Sequence, residues 1–240
     1  FDTKNLKGFG VDHLEHGTIA SGAALHYLAE TQHNKLKHIT KIARIAEDQY
    51  VWMDRFTIRN LELYHSHQQN AVTLLDVIDK TISPMGGRML KRWMALPLKN
   101  KEAIIRRHEV VSYLLEHSQE LDKIQTNTKR IGDLERLISK VATLKISPRE
   151  VVQLKNSLEA IVPIKQLSQN SDNPSLALLG EQLELCEDLR SKIKQTLDEQ
   201  APVHIIKGNA IAQGFNEELD DLRAVAQGGK QYLDQMLVRE

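Results

Sequence analysis

Cysteine is almost missing from this sequence: its 240 residues hold one, Cys186. That excludes an internal disulfide framework and suits a reducing compartment, so a cytoplasmic origin is expected. Aromatic residues are scarce at 5%, which leaves little material for platforms that stack nucleic-acid bases. Net charge is missing too, because Lys plus Arg and Asp plus Glu number 32 each. No global positive field exists of the kind that holds a stand-alone protein on phosphate backbones. No apolar run approaches the length of about eighteen residues that a membrane-spanning helix requires, and Phe1 opens neither a charged n-region nor an apolar h-region. No membrane association is therefore expected. Starting without Met and ending at Glu240 inside a helical pattern, the chain reads as a piece excised from a longer protein.

The patterns that carry chemistry are also absent. Neither Gly-x-x-x-x-Gly-Lys-Ser/Thr nor a complete Gly-x-Gly-x-x-Gly occurs, and Gly8-Phe9-Gly10 is only a fragment of the second. His13 with His16, and His65 with His67, have no second pair or nearby cysteine to complete four zinc ligands. Cys186 has no adjacent base and falls on an apolar stripe, which reads as a packing residue rather than a nucleophile. Glu217, Glu218, Asp220 and Asp221 crowd a helix start, where carboxylates complement the dipole. The basic run Lys99, Lys101, Arg106 and Arg107 is interleaved with Glu102 and Glu109. Of it, Lys99, Arg106 and Arg107 are the candidates for contacting nucleic acid. No catalytic, cofactor-binding or metal-ligating residue is assigned.

What is present favours helix. Hydrophobic residues make up 41% and charged residues 27%, with 12 Gly and 6 Pro. Thr18 can cap a helix through Ala23, Ala24, Tyr27 and Leu28. Tyr50 to Met53 is a short apolar run with strand character, and Asp54 can cap the next helix. Ser83-Pro84 opens a helix that Pro97 ends, with Leu90 and Trp93 as core packing. Asn100 restarts the chain through Ile104, Ile105, Val110, Val111 and Leu114. Leu134, Leu137, Ile138 and Val141 form a further stripe, and Ser147-Pro148-Arg149-Glu150 is a capping box opening a helix to about Val162.

The last third changes character. Leu176, Leu179, Leu183, Cys186, Leu189, Ile193 and Leu197 recur at helical spacing, predicting one unbroken helix of roughly 35 to 40 Å that Pro202 ends. Val203 to Ala212, with its Gly208-Asn209 step, is a candidate hairpin. Asn216 then caps a second long helix whose seam is Leu219, Leu222, Ala226, Gly229, Leu233 and Met236. The fold class is all-α with at most a minor hairpin: a helical core followed by two long arms.

Four stretches resemble the central part of the bacterial MutS family of DNA mismatch repair proteins. They are Met53-Asp54 through Arg59-Asn60-Leu61-Glu62-Leu63; Thr73-Leu74-Leu75-Asp76 through Pro84-Met85-Gly86-Gly87-Arg88-Met89-Leu90-Lys91-Arg92-Trp93 to Pro97-Leu98; Ile131-Gly132-Asp133-Leu134-Glu135-Arg136-Leu137 to Ser147-Pro148-Arg149; and Gly214-Phe215 with Leu219, Asp221, Leu222 and Arg223. The resemblance runs from about Gly8 to Glu240. It implies that 1–16 is the tail of a connector domain, 17–170 the helical core domain, and 171–240 lever helices leading to a clamp outside this chain.

For function, the resemblance implies mechanical coupling of an ATPase domain to mismatch-recognition and clamp domains, all outside these residues. The fragment itself is expected to be non-catalytic. The intact protein is expected to be a DNA-dependent ATPase using ATP and Mg, to bind mismatched double-stranded DNA, to meet a MutL-type repair partner, to homodimerise, and to work on the nucleoid. Phe215-Asn216-Glu217 spells the family's Phe-x-Glu wedge but falls at a helix cap, which reads as coincidence. Two other readings compete: a MutS relative acting on branched or recombining DNA, and a helical protein-interaction scaffold.

Overall fold

The structure, a computed structural model, describes residues 6–31, 36, 39–45, 47–66, 68 and 71–239, with backbone alone at 47, 227 and 230–239. The fold is all-α. Among the described residues β-structure is limited to two isolated antiparallel bridges, Tyr50 with Leu98 and Leu197 with Ile211. In order the helices are α1 (Glu15–Thr31), α2 (Arg55–Asn60), α3 (Leu74–Ile78), α4 (Pro84–Ala95), α5 (Lys101–Glu116), α6 (Ser118–Arg130), α7 (Leu134–Ala142), α8 (Pro148–Gln169), α9 (Pro174–Glu181), α10 (Glu187–Thr196) and α11 (Glu217–Arg239).

Most helix starts follow from side chains that satisfy otherwise orphaned amides. Asp54, Ser83 and Asn100 accept from Thr57, Gly86 and Ala103, as their positions before the apolar stripes predict. Ser147 and Glu150 close the capping box of α8. A second box, Thr73 with Asp76, opens the five-residue α3. Thr18 does not cap α1: the helix begins at Glu15, and the Thr18 amide already donates to the Leu14 carbonyl at 2.8 Å.

α8 is the hub, with α6, α7, α9 and α10 packed around it. Its buried residues, Val152, Leu154, Lys155, Ser157, Leu158, Ala160 and Ser168, point in several directions rather than along one stripe, as expected for a helix flanked on many sides. The apolar centre joins Leu137 of α7 to Leu154 and Leu158, with Leu134, Ile161 and Cys186 against them. This packing carries α8 through Pro163 to Gln169, beyond the predicted end near Val162. An interior proline costs about 3 kcal/mol or more in an isolated helix, which neighbours on several sides offset.

The predicted unbroken helix from Leu176 to Leu197 does not form. The chain stops at Glu181, turns through residues 182–186 and restarts at Glu187, with Cys186 in the left-handed region at φ 46°. The carbonyls released by the break are captured: Lys165 of α8 donates to Leu183 O at 2.7 Å, and Arg190 Nε donates to Leu185 O at 2.7 Å. The break lets α9 and α10 both fold back onto α8. Pro202 is not the stop either, since α10 ends at Thr196.

The stretch from Val203 to Ala212 is no hairpin of its own. Its strand-like part pairs with the end of α10, Asp198 N donating to Ala210 O at 3.0 Å and Ala212 N to Thr196 O at 2.9 Å. Gly208 and Asn209, at φ 73° and 53°, turn the chain between them. Trp93, read as core packing, is 43% exposed, because it lines an open groove where Arg107 of α5 lies over its ring rather than an apolar core.

The whole surface is 18327 Å², against about 11,000 Å² for a compact globule of this size. The excess is apolar in part: Phe56, Val77, Leu222 and Val225 are 74%, 59%, 62% and 74% exposed. An open array of this kind depends on close contacts where they exist. At Gly180 of α9 an added Cβ would lie 2.8 Å from Ser168 Cβ and 2.9 Å from the Gln169 amide nitrogen of α8. Gly180→Ala is therefore expected to lower stability by about 1–3 kcal/mol in urea unfolding, despite the better helix propensity of alanine.

Candidate functional site

Three polar joints connect the helices, and each follows from a charged residue at or near a helix end. The first links α4 to α7. Asp133 caps α7 by accepting from the Arg136 amide at 3.2 Å. Its two carboxylate oxygens also accept from Arg88 Nη1 and Nη2 of α4, at 2.9 and 2.7 Å. Arg88 Nε donates to Glu135 Oε2 at 2.8 Å. The flat guanidinium thus holds two carboxylates across 45 residues of chain. Arg88 first, and the Arg136 amide second, hold the Asp133 carboxyl down at about 2.

The second joint links α7 to α8. Lys140 Nζ binds Glu150 Oε1, while Glu150 Oε2 accepts from Ser147 N and Oγ at 3.0 Å each. Glu150 is consequently held near 2, by Lys140 first and then by the Ser147 amide. Between these joints Ser157, 1% exposed on α8, accepts from the Gly132 amide at 3.0 Å and donates to Gln153 O at 2.8 Å.

The third joint runs from α8 to the base of α11. Lys155, 2% exposed, extends its ammonium to Glu199 and lies 3.7 Å from Glu159. Six residues earlier Arg149 Nε donates to Ala201 O at 3.2 Å. Residues 198–201 are thereby fixed to α8, and the bridge between Leu197 and Ile211 joins them to the segment before α11. Arg223 of α11 then donates to Ile211 O at 3.0 Å and to Asp220 Oδ1 at 3.2 Å. Asn216 caps α11 through the Leu219 amide at 2.8 Å, and Asp220 accepts from the Gly214 amide at 2.6 Å. An unbroken line of bonds therefore runs from the hub to a helix of 23 residues, roughly 35 Å long.

The candidate DNA contacts are exposed side chains on α5 and just before it. Lys99 is exposed beside the bridge, its amide donating to Gln49 O at 3.0 Å. Arg106 and Arg107 are exposed on α5, and Arg107 alone meets an aromatic ring, its guanidinium carbon 3.7 Å from the Trp93 ring centroid. His13, His16 and His65 are exposed, and His67 lies outside the described residues. No group of three or more His, Cys, Asp or Glu able to hold a metal occurs among the described residues. Phe215 is 53% exposed next to the Asn216 cap. No helix among the described residues is long and apolar enough to cross a membrane.

Sequence reasoning gave no role to Arg88, Asp133, Glu135, Lys155, Glu199 or Arg223. One signal was available. Lys155 stands among Val151, Val152, Leu154 and Leu158, where a lone cation on an apolar stripe calls for a buried partner.

A family model described as MutS domain III matches residues 56–238. The DNA mismatch repair protein MutS of Christiangramia forsetii is 63% identical over all 240 residues, that of Flavobacterium psychrophilum 62%, and that of Bacteroides fragilis 53%. In each case the match covers 100% of this chain and 28% of the relative, so the chain spans just over a quarter of the length of the relatives it matches.

Two consequences of the joints can be measured. The Asp133 carboxyl lies below its ordinary value of about 3.9, so its contribution is complete above pH 4 and is lost as pH falls from about 4 to about 2. Asp133→Asn is therefore expected to be less stable than the parent at pH 7 and to converge with it near pH 2, read by urea midpoints across a pH series. Glu199→Gln leaves Lys155 buried with its more distant carboxylate alone. Since Glu199 is itself 58% exposed, the expected loss is moderate, about 1–2 kcal/mol, and Glu159→Gln is expected to cost less.

Proposed function

The chain belongs to the MutS family, in which it corresponds to domain III, and from that membership we propose that it mechanically couples the ATPase domain of the intact protein to the domains that recognise mismatched DNA and clamp it. Residues 1–16 then close a connector domain, 17–170 form the core and 171–240 carry the levers. Within that last part α11 is the lever proper, and α9 and α10 are its root on α8. The observation that carries the reading is the third joint. A rotation of α8 reaches α11 through Lys155, Glu199, the Leu197 bridge and Arg223.

The chain offers no glycine-rich cradle for phosphates, so ATP and Mg belong to residues outside it and no chemical step is assigned to it. The intact protein, under this proposal, is a DNA-dependent ATPase that homodimerises, binds mismatched double-stranded DNA, engages a MutL-type repair partner and works in the bacterial cytoplasm on the nucleoid. The names of the relatives support the mismatch-repair reading over branched or recombining DNA.

The test is a distance between residue 236 of α11 and a label in the ATPase domain, measured in the full-length protein with and without nucleotide. A tilt of about 10° carried along about 30 Å of helix moves residue 236 by roughly 5 Å. That shift, diminished in Glu199→Gln, is the expected result. An unchanged distance counts against coupling through this chain.

A further inference from the structure

Apart from Arg107, which stacks on Trp93, little of the described structure covers one face of α4. Met85, Met89, Trp93 and Leu96 follow one another at spacings of three and four residues and so align along it. They floor an open groove of about 620 Å³ between α4 and α5. Met89 is 55% and Trp93 43% exposed, so the floor is apolar and reachable.

The rim is cationic. Arg92 and Arg107 line the groove and are exposed, and neither has a carboxylate within 4.0 Å among the described residues. Glu135, the acid in the wall, is already held by Arg88. Stacking on Trp93 engages only the flat face of the Arg107 guanidinium. Its in-plane N–H donors remain available for a carboxylate, in the forked geometry that arginine forms with acids.

We propose that this groove is the docking site of an acidic, amphipathic segment of the same polypeptide lying outside residues 1–240, which sets an apolar side chain on Met89 and Trp93 and carboxylates on Arg92 and Arg107. The proposal rests on the family reading, under which the chain is just over a quarter of the intact protein. Charge selects the occupant: apolar floor and cationic rim match a peptide bearing both features, whereas a nucleic-acid backbone offers phosphate and no apolar anchor for the methionines. Strength selects the tethering. Ion pairs at an exposed rim are worth about 0–1 kcal/mol each, too little to hold a separate partner. Attached to the same chain, the segment is present at an effective concentration in the millimolar range, where weak contacts suffice.

The test uses full-length protein carrying a photoreactive amino acid in place of Met89, irradiated at high dilution with the adducts mapped by mass spectrometry. The expected adduct is intramolecular, to a segment outside residues 1–240 with Asp or Glu within a few positions of the attachment. Its yield should fall several-fold in Arg92→Glu/Arg107→Glu and return when the acids of the mapped segment are changed to Lys. Attachment to DNA, to a second copy in a concentration-dependent way, or to a segment without acids overturns the proposal, as does a yield indifferent to the charge reversal or the absence of any adduct. Because nucleotide-dependent movement of α11 is read by a separate distance, coupling can stand while the groove proves empty.

Discussion

Lys155 places a cation on the most enclosed helix of the chain, in a setting that otherwise favours apolar side chains. A buried ammonium is tolerated only when a carboxylate meets it, and the carboxylate that does so, Glu199, comes from a segment 44 residues away. The demand for a partner therefore dictates where residues 198–201 must lie. Once those residues are held, the bridge between Leu197 and Ile211 fixes the entry to α11, and Arg223 fixes its first turns. The direction of a helix roughly 35 Å long is thus tied to the position of one nitrogen atom on the hub.

The same economy recurs elsewhere. The surface exceeds that of a compact globule by more than half, and the described apolar core is small, so packing alone specifies few angles between helices. Polar joints supply the missing constraints: Arg88 with Asp133 and Glu135 between α4 and α7, Lys140 with Glu150 between α7 and α8, and Lys165 and Arg190 at the break between α9 and α10. Asp133, Glu150 and Asp220 each serve a helix start as well as an ion pair. Moving such a residue disturbs a helix end and an interhelical distance together, a property suited to relaying displacement.

Much of this was legible in the sequence because caps and apolar spacing are local. Asp54, Ser83, Asn100, Ser147 and Asn216 all cap helices as their sequence context implies. The all-α class follows from the same signals, and the four stretches that resemble the MutS family agree with the domain III match. What failed was long-range. The stripe from Leu176 to Leu197 keeps helical spacing across a break at which Lys165 of α8 captures a carbonyl, just after Gly180 of α9 lets the two helices approach, and spacing alone carries no trace of such a neighbour. Pro163 was overridden by packing in the same way. The joints between α8 and its neighbours escaped because their partners lie 10 to 52 residues apart, although Lys155 on its apolar stripe advertised that some partner had to exist.

Whether α8 and α11 form one mechanical unit is decided most directly by a double-mutant cycle between Glu199→Gln and Arg223→Gln, each measured by urea unfolding of the same chain. These side chains do not touch, and independent sites add to within about 0.3–0.5 kcal/mol. Continuity through the Leu197 bridge predicts an interaction energy of at least about 0.5 kcal/mol, the range seen within one network. Strict additivity would mean that the hub and the base of α11 respond separately, and that the line of bonds between them transmits nothing.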